Sequence, residues 1–304
     1  MSLEFGKIDY MQGRLYKTFA TLCIEEFGHP IHKICLDGGF TCPNRDGTKG
    51  VGGCIFCGER GAGEHVNPEQ TIVEEARAQL DHYERRKEKG GFVAYFQNFT
   101  NTYADPNTLK KIYNSALISD RIEAVSIATR PDCINEEIVQ IIKDIPVKKV
   151  WVELGLQTSS DITAERINRC YKSKEFTKAV SLLNKYNIDV VAHIIVGLPG
   201  ETFEDFKNTI EFINKHKIQG IKIHSLYVMK NTQLEVYYNK SEYKTIDLEY
   251  YIDCVVYAIS HLNKDIVIHR LIGECAKNLL VAPIWDIDKN ELLSQINKRL
   301  ENLN

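Results

Sequence analysis

The amino-acid sequence predicts an α/β fold with a largely parallel sheet. Short apolar segments alternate with amphipathic segments from about residue 31 to residue 262, which is the pattern of strands joined through helices. The chain has 304 residues, of which 43% are hydrophobic, so it can bury a substantial core. Helix start signals precede several of the amphipathic segments. Strands joined in this way run parallel, but periodicity leaves a doubly wound sheet and a complete or partial barrel open.

The first elements are defined by their ends. Amphipathic spacing predicts an N-terminal helix over residues 12–27, which stops at Gly28. A short strand over 33–36 follows and leads directly into a glycine-rich loop. The next helix is predicted to begin with Asn67 as its N-cap and Pro68 at its first position. The loop is therefore expected at the carboxyl end of the first strand.

The later segments continue the alternation, with β-branched runs for strands and amphipathic runs for helices. The predicted strands cover residues 92–97, 123–128, 149–157, 189–196 and 220–228, and the predicted helices begin near residues 105, 135, 173, 202 and 247. An irregular polar stretch lies at 230–245. A further strand at 265–272 and a helix at 290–303 are expected to cap or extend the sheet.

Composition and charge indicate an ordinary globular protein. Without a repeat or linker, we expect one domain over 1–304, with its core at about 31–230 and a C-terminal extension at about 231–304. The sequence lacks a signal peptide and a membrane-length apolar run, so we expect a cytoplasmic location without membrane contact. The net charge of −3 provides no global field for nucleic acid. Two local basic stripes remain as candidate RNA contacts: Arg77, Arg85, Arg86, Lys87 and Lys89, or Lys172, Lys174 and Lys178.

Three of the nine cysteines lie in the glycine-rich loop between Gly38 and His65. Cys54 and Cys57 form a Cys-X-X-Cys pair, and eleven residues separate Cys42 from Cys54. This spacing directs thiolates at one metal centre. A four-iron cluster held by three cysteines leaves one iron open to a chelating molecule such as S-adenosylmethionine, whereas a zinc site would add His65 as its fourth ligand. The loop alone leaves both interpretations open, and free thiols are a weaker third.

Polar residues interrupt or follow most of the predicted strands. They include Gln97, Arg130, Glu153, Gln157, His193, His224 and His269. In a parallel sheet they would surround one face, which is the face that carries the cysteine loop. Burying so many polar groups costs free energy unless they bond to one another or to a ligand. A polar cofactor is the simplest explanation of this pattern.

Five segments together form a specific combination of motifs. They are the cysteine loop, Tyr95-Phe96-Gln97, Ala128-Thr129-Arg130-Pro131-Asp132, Glu153-Leu154-Gly155-Leu156-Gln157-Thr158, and the stretch from His193 to Glu201. This combination resembles the radical S-adenosylmethionine superfamily. Within it, the sequence is similar to the group related to the Elongator catalytic subunit, in its short bacterial YhcC/YtqA-type branch. The resemblance extends from about Phe27 to Trp285.

The resemblance implies a partial (β/α)6 TIM-like barrel with N- and C-terminal extensions. Cys42, Cys54 and Cys57 would hold a [4Fe–4S] cluster at its open end. An electron from an external donor such as flavodoxin or ferredoxin would then split S-adenosylmethionine into methionine and a 5′-deoxyadenosyl radical, which abstracts a hydrogen atom from the substrate. In such enzymes the protein positions the cofactor and excludes water, while the cofactor supplies the radical chemistry.

The resemblance also implies roles for individual residues. Positions that match cofactor contacts in related enzymes are Gln157, Arg169, His193 and, in the turn near the cofactor's amino group, Gln97, Asn98 and Thr100. The candidates left for catalysis or for binding cofactor or substrate are Glu153, Arg130, His224 and His269. The sequence does not divide this second group between cofactor and substrate.

The same resemblance implies a tRNA substrate, modified at the C5 substituent of a wobble uridine. The expected reaction remodels a carboxymethylaminomethyl group towards an aminomethyl group. Two alternatives stay open: radical chemistry on a small molecule or a protein side chain, and a zinc-stabilised RNA-binding module without turnover.

Overall fold

The computed structural model describes residues 15–61, 70–273 and 275–303. The strands are β1 (Ile31–Leu36), β2 (Gly91–Phe96), β3 (Ile122–Thr129), β4 (Lys149–Gln157), β5 (Asp189–Val196), β6 (Gly220–Ser225), β7 (Val228–Met229), β8 (Val267–Arg270) and β9 (Leu280–Ala282). The helices are α1 (Phe19–Phe27), α2 (Ile72–Arg85), α3 (Pro106–Ser115), α4 (Glu136–Lys143), α5 (Asp161–Arg166), α6 (Ser173–Lys185), α7 (Phe203–Asn214), α8 (Gln233–Asn239), α9 (Leu248–His261) and α10 (Lys289–Glu301).

Seven strands form one sheet in the order β1-β2-β3-β4-β5-β6-β8, and each neighbouring pair is parallel. The sheet curls strongly: Tyr95 on β2 and Lys222 on β6 have three strands between them, yet Lys222 Nζ lies 3.2 Å from the Tyr95 hydroxyl. In a flat sheet, strands four positions apart would be separated by about 19 Å. The partial barrel expected from the sequence is therefore confirmed, with β8 added beyond β6.

Alternate strand residues face opposite sides of this sheet. Outward-facing residues such as Phe92 and Phe96 pack beneath the surrounding helices in the main hydrophobic core. Inward-facing residues at the beginnings of the strands, including Trp151, pack against Cys23 and Phe27 of α1. Helix α1 therefore closes the barrel at the end where the strands begin, and the other end carries the cysteine loop.

The C-terminal segment packs onto both the barrel and the cysteine loop. β8 pairs with β6, while β7 and β9 form a small antiparallel sheet. A second apolar cluster joins Ile55 of the cysteine loop to Leu234 and Ala282. The Leu234 amide also donates to the Ile55 carbonyl over 2.8 Å. The expectation of one domain stays a prediction.

The structure corrects several predicted boundaries. The N-terminal helix begins at Phe19 and not at residue 12, because Thr18 accepts a hydrogen bond from the Thr21 amide as its N-cap; residues 12–14 lie outside the described residues. Helix α2 begins at Ile72 behind a Thr71–Glu74 capping box, and the predicted N-cap at Asn67 also lies outside them.

Other differences concern the C-terminal half. The strand predicted over 220–228 ends at Ser225, and its last part pairs separately as β7. Three short elements, α5, α8 and β9, were not predicted, because segments this short carry little periodicity. Within the described parts of the chain, every helix falls short of the length and apolar character needed to span a membrane.

Candidate active site at the carboxyl ends of the strands

The cysteine loop follows β1 and is fixed over the carboxyl ends of the strands by backbone hydrogen bonds. The Thr100 amide, beyond β2, donates to the Thr41 carbonyl over 3.2 Å, next to Cys42. Asn168, beyond α5, donates from Nδ2 to the Gly53 carbonyl over 2.7 Å, next to the Cys-X-X-Cys pair. The loop is thus tied to segments that follow two different strands, so the three cysteines lie over the barrel mouth.

The two thiols of the Cys-X-X-Cys pair interact with each other. The Cys57 amide donates to the Cys54 carbonyl over 3.0 Å, which draws the side chains together. The hydrogen bond between the thiols lowers the pKa of Cys57 and raises that of Cys54 well above its ordinary value. Nearby Arg45 and Arg130 lower the pKa of Cys57 further. A thiolate is the form in which cysteine binds a metal, so this environment suits metal ligation.

The spread of the candidate ligands distinguishes the two metal interpretations. Within residues 15–61, 70–273 and 275–303, no three His, Cys, Asp or Glu side chains are grouped so that they could hold one metal ion. Zinc needs ligands that converge at about 2.3 Å from a single centre, whereas the cysteines of a cubane bind different iron atoms. Cys42, Cys54 and Cys57 therefore fit a cluster better than a mononuclear site. His65, the zinc alternative's fourth ligand, lies outside the described residues.

Buried acceptor oxygens line the turn after β2, which begins at Gln97. The side-chain oxygens of Asn98, Thr100 and Asn101 are buried without a hydrogen-bond partner among the described residues. Asn98 is held in place because its Nδ2 donates to the Asp37 carboxylate over 2.6 Å. Buried polar atoms without partners are uncommon in native proteins and indicate a missing ligand. These acceptors fit an ammonium group, as expected for the amino group of S-adenosylmethionine.

Gln157 ends β4 in the left-handed backbone region, with φ of +59°. Its amide folds back over the strand, where it donates to the carbonyls of Gly155 and Leu156, each over 3.1 Å. A Cβ at position 155 would lie 2.7 Å from Gln157 Nε2, so the glycine makes room for this arrangement. The side chain is placed at the mouth, and its contact with the cofactor stays a prediction.

Two arginines hold the loops around the mouth. Arg169 is fully buried and donates to the Thr158 carbonyl over 2.7 Å and to the Tyr171 carbonyl over 3.1 and 3.0 Å. Arg130 donates to the Asp132 carboxylate over 3.0 and 2.9 Å. Both guanidinium groups lie over the Tyr171 ring, at 4.7 Å for Arg130 and 4.4 Å for Arg169. Their contacts position the loops, and the predicted contact of Arg169 with the cofactor stays a prediction.

Replacing Arg169 with Lys is expected to destabilise the protein, because one ammonium group cannot reach carbonyls in two separate segments. A buried carbonyl left unpaired costs about 1–3 kcal/mol, so we expect a loss of that size in urea unfolding. The matched control is Arg166→Lys, since Arg166 is exposed and binds the Pro199 carbonyl at 2.7 Å. Equal stability of the two variants would contradict the anchoring role of Arg169.

A charged cluster occupies the barrel interior, deeper than the mouth. Glu153 is 1% exposed and accepts hydrogen bonds from Ser126 over 2.7 Å, from His193 over 2.7 Å and from Lys222. Lys222 also donates to the Tyr95 hydroxyl over 3.2 Å. These residues come from β2 to β6 and share the inward face of the sheet. The cluster therefore joins five strands inside the barrel.

Burial and charge set the protonation of this cluster. Burial alone would raise the pKa of Glu153, but the charge of Lys222 and the hydrogen bond from His193 outweigh burial and hold it well below its usual value. Burial lowers the pKa of Lys222 to about 7, against the attraction of Glu153. Burial also lowers the pKa of His193, and that of His224, whose ring centroid lies 5.7 Å from that of His193. The interior thus holds one carboxylate and favours neutral imidazoles.

His269 lies deeper still. Its ring centroid is 4.7 Å from that of Phe19 and 6.2 Å from that of Trp151, at the end of the barrel where the strands begin. A Cβ at Gly220 would lie 2.5 Å from its Nε2 atom, which is buried without a partner among the described residues. His269 therefore does not join the residues at the mouth.

The structure separates the polar residues that the sequence placed on one edge. Side chains at the mouth are Cys42, Cys54, Cys57, Gln97, Asn98, Thr100, Arg130, Gln157 and Arg169, whereas Glu153, His193, His224 and His269 point into the barrel. The reason is the two-residue period of a strand, which directs residues within it into the lumen. The sequence analysis did not identify Lys222, although a lysine between Ile221 and Ile223 in an apolar strand was a usable signal.

Comparison with known proteins agrees with this site. Residues 42–213 match the family model described as the Radical SAM superfamily, and residues 218–302 match the Radical_SAM C-terminal domain. YtqA of Bacillus subtilis is 36% identical over 280 residues, which cover 91% of this chain and 87% of YtqA. YhcC of Escherichia coli is 32% identical over 274 residues, which cover 90% of this chain and 88% of YhcC.

Two further comparisons involve larger proteins. A tRNA uridine(34) acetyltransferase of Methanocaldococcus jannaschii is 29% identical over 177 residues, which cover 57% of this chain and 32% of that protein. The solved structure of Elp3 from the archaeon Methanocaldococcus infernus matches the fold with a TM-score of 0.72 at 18% identity. That match covers 90% of this chain and 63% of the Elp3 chain, which is less than two thirds of its length.

These similarities extend over the cysteine loop, the barrel and the C-terminal segment. They agree with the geometry of the three thiols and of the buried acceptors beyond β2. Enzymes of this family use a [4Fe–4S] cluster together with S-adenosylmethionine. The chain belongs to the radical S-adenosylmethionine superfamily, in the Elongator-like short bacterial branch that contains YtqA and YhcC.

Proposed function

We propose that this radical S-adenosylmethionine enzyme modifies the C5 side chain of a wobble uridine in tRNA. The observation that carries the proposal is the similarity to a tRNA uridine(34) acetyltransferase over 57% of the chain. The architecture is compatible with it, because acceptors for the cofactor line the mouth and a charged cluster lies inside the barrel. A flipped nucleobase could enter through the mouth and place its substituent between these two levels.

The proposed reaction remodels a carboxymethylaminomethyl group towards an aminomethyl group. When bound, the cluster and S-adenosylmethionine supply a 5′-deoxyadenosyl radical that abstracts hydrogen. The glycine-derived methylene of the substrate is a suitable hydrogen donor, because its nitrogen and carboxylate neighbours stabilise the carbon radical left behind. An external one-electron donor of the flavodoxin or ferredoxin type is part of the proposal.

Side chains of the protein would divide three tasks. Asn98 and Thr100 accept hydrogen bonds from the amino group of the cofactor. Arg130 and Arg169 hold the loops that surround it and limit the access of water. Glu153, fixed by its three hydrogen bonds, keeps the interior side chains in one arrangement while the substrate enters. Such preorganised positioning is the protein's usual contribution when a cofactor performs the chemistry.

The topology favours one of the two basic stripes as the tRNA contact. Helix α2 runs from the cysteine loop towards the start of β2, so Arg85 and Arg86 at its end lie at the closed end of the barrel. Helix α6 runs in the same sense, and therefore Lys172 and Lys174 at its beginning lie at the mouth. Both lysines are exposed. We therefore assign the tRNA contact to the second stripe.

Reversing the charge of Lys172 and Lys174 to Glu is expected to weaken tRNA binding by at least about tenfold, because each phosphate contact also releases a counterion. The slope of affinity against salt concentration should fall by about two contacts. The same change at Arg85 and Arg86 is the matched control, and it should leave affinity nearly unchanged. Equal losses for both pairs, measured by filter binding, would reject this orientation.

The substrate is tested with tRNA that carries carboxymethylaminomethyluridine at the wobble position. Reconstituted protein is incubated anaerobically with S-adenosylmethionine and dithionite, and the digested tRNA is analysed by mass spectrometry. We expect aminomethyluridine to form together with 5′-deoxyadenosine, and tRNA with an unmodified uridine to give neither above background. If deoxyadenosine forms without any change in the nucleoside, the substrate is a small molecule or a protein.

A further inference from the structure

The barrel interior contains more basic groups than acidic ones. Lys33 on β1, Lys222 on β6 and Arg270 on β8 approach the same space, and Glu153 is the carboxylate that hydrogen-bonds into it. Glu153 is engaged by Lys222 and by a neutral-leaning His193. Buried charges without counter-charges are costly, so such an excess is expected only where a ligand supplies the missing charge.

Lys33 is one of the two cations that Glu153 does not contact. Its Nζ atom lies 4.6 Å from the ring centroid of Phe19 and 5.4 Å from that of Tyr95, so aromatic faces hold it in place. Within the described part of the chain it makes no ion pair with a carboxylate. Burial lowers its pKa, which reflects the cost of its charge in this position.

Arg270 is the second such cation. It is the partner of Lys222 in the β6–β8 register, at a bulge that places His269 and Arg270 opposite one strand position. Its charge is close enough to lower the pKa values of Lys222 and His224. No hydrogen bond or ion pair satisfies its guanidinium group within residues 15–61, 70–273 and 275–303.

We propose that Lys33 and Arg270, beside Lys222, bind a carboxylate group of the substrate inside the barrel. A guanidinium fork matches the two oxygens of a carboxylate, and Lys33 adds a point charge on the other side of the sheet opening. The inference rests on the proposed function and refines it, because the carboxymethylaminomethyl group ends in a carboxylate and the aminomethyl product does not. The chamber therefore favours the substrate over the product.

The depth of the chamber agrees with a side chain that hangs from a base at the mouth. Glu153 precedes Gln157 by four residues of β4, which corresponds to about 13 Å of strand. A uracil ring near the strand ends would place its C5 substituent along this distance. The carboxylate would then lie between Lys33 and Arg270, and the adjacent methylene would lie above it, nearer the cofactor level.

The test compares two ligands that differ in charge alone: the nucleoside 5-carboxymethylaminomethyluridine and its primary carboxamide. Equilibrium dialysis with the reconstituted full chain and S-adenosylmethionine is expected to show the acid bound at least about tenfold more tightly, as for a charge-assisted hydrogen bond. Lys33→Met and Arg270→Gln should each remove most of this preference. Exposed Lys111→Met and Arg77→Gln are the matched controls and should retain it.

Equal affinity for acid and amide, or no measurable affinity for either, would overturn the proposal. The affinity for S-adenosylmethionine is measured in the same variants, because its own carboxylate is a second possible occupant. Unchanged cofactor affinity supports the substrate as the occupant, whereas a loss of cofactor affinity with the acid preference retained refutes it. Because these readouts need no turnover, they remain decisive even if the tRNA product assay fails.

Discussion

Replacing Cys54 with Ala is expected to abolish both iron retention and the formation of 5′-deoxyadenosine. Cys54 lies in the Cys-X-X-Cys pair at the mouth, where its thiol hydrogen-bonds with Cys57. Mutating a partner that only supports a metal ligand costs about 10–100-fold in affinity or activity, so loss of a direct ligand should exceed about 100-fold. Iron, sulfide and deoxyadenosine are measured on anaerobically reconstituted protein. Cys42→Ala and Cys57→Ala should behave alike.

Cys170→Ala is the matched control for these variants. Cys170 is exposed beside the same loop, and a Cβ at Gly50 would lie 2.7 Å from its Sγ atom. If proximity to the loop were enough, its replacement would also lower the iron content. We expect the control to retain iron and activity. Zinc in place of iron in the parent protein, with no deoxyadenosine formed, would refute the assignment of the three cysteines.

Lys222→Met is expected to cause the largest loss of stability of any substitution inside the barrel. Lys222 is 1% exposed and forms an ion pair with Glu153, which is also 1% exposed. Removing one partner of a buried pair leaves an uncompensated charge and costs about 3–5 kcal/mol. Met keeps the length and the apolar stem, so packing is nearly preserved. The free energy of unfolding is measured with urea.

The double variant Glu153→Gln/Lys222→Met distinguishes charge from packing. If the loss arises from the unpaired carboxylate, neutralising that carboxylate should recover most of it, as for other buried pairs replaced together. Glu153→Gln alone should be destabilising because it leaves the lysine unpaired. A double variant that is as unstable as the sum of the two single variants would show that the ion pair does not couple these residues.

Several features of this protein could be derived from the sequence alone. Cys42, Cys54 and Cys57 identified a metal loop, because ligand spacing along a chain limits which thiols can share one centre. Capping motifs and apolar periodicity predicted the order of the main strands and helices, because these signals are local. Short elements such as α5 and α8 were missed, since they extend over too few residues for a period to emerge.

The sequence alone could not show which polar residues meet. Lys222 and Tyr95 are 127 positions apart, yet their side chains bond because the sheet curls until β2 faces β6. Curl depends on twist and packing summed over the whole sheet, which no local segment encodes. It also converts a row of strand residues into an enclosed interior, where Glu153, Lys33 and Arg270 share one space. The amino-acid sequence thus determined the chemistry of the mouth, and the tertiary structure decided the charge balance beneath it.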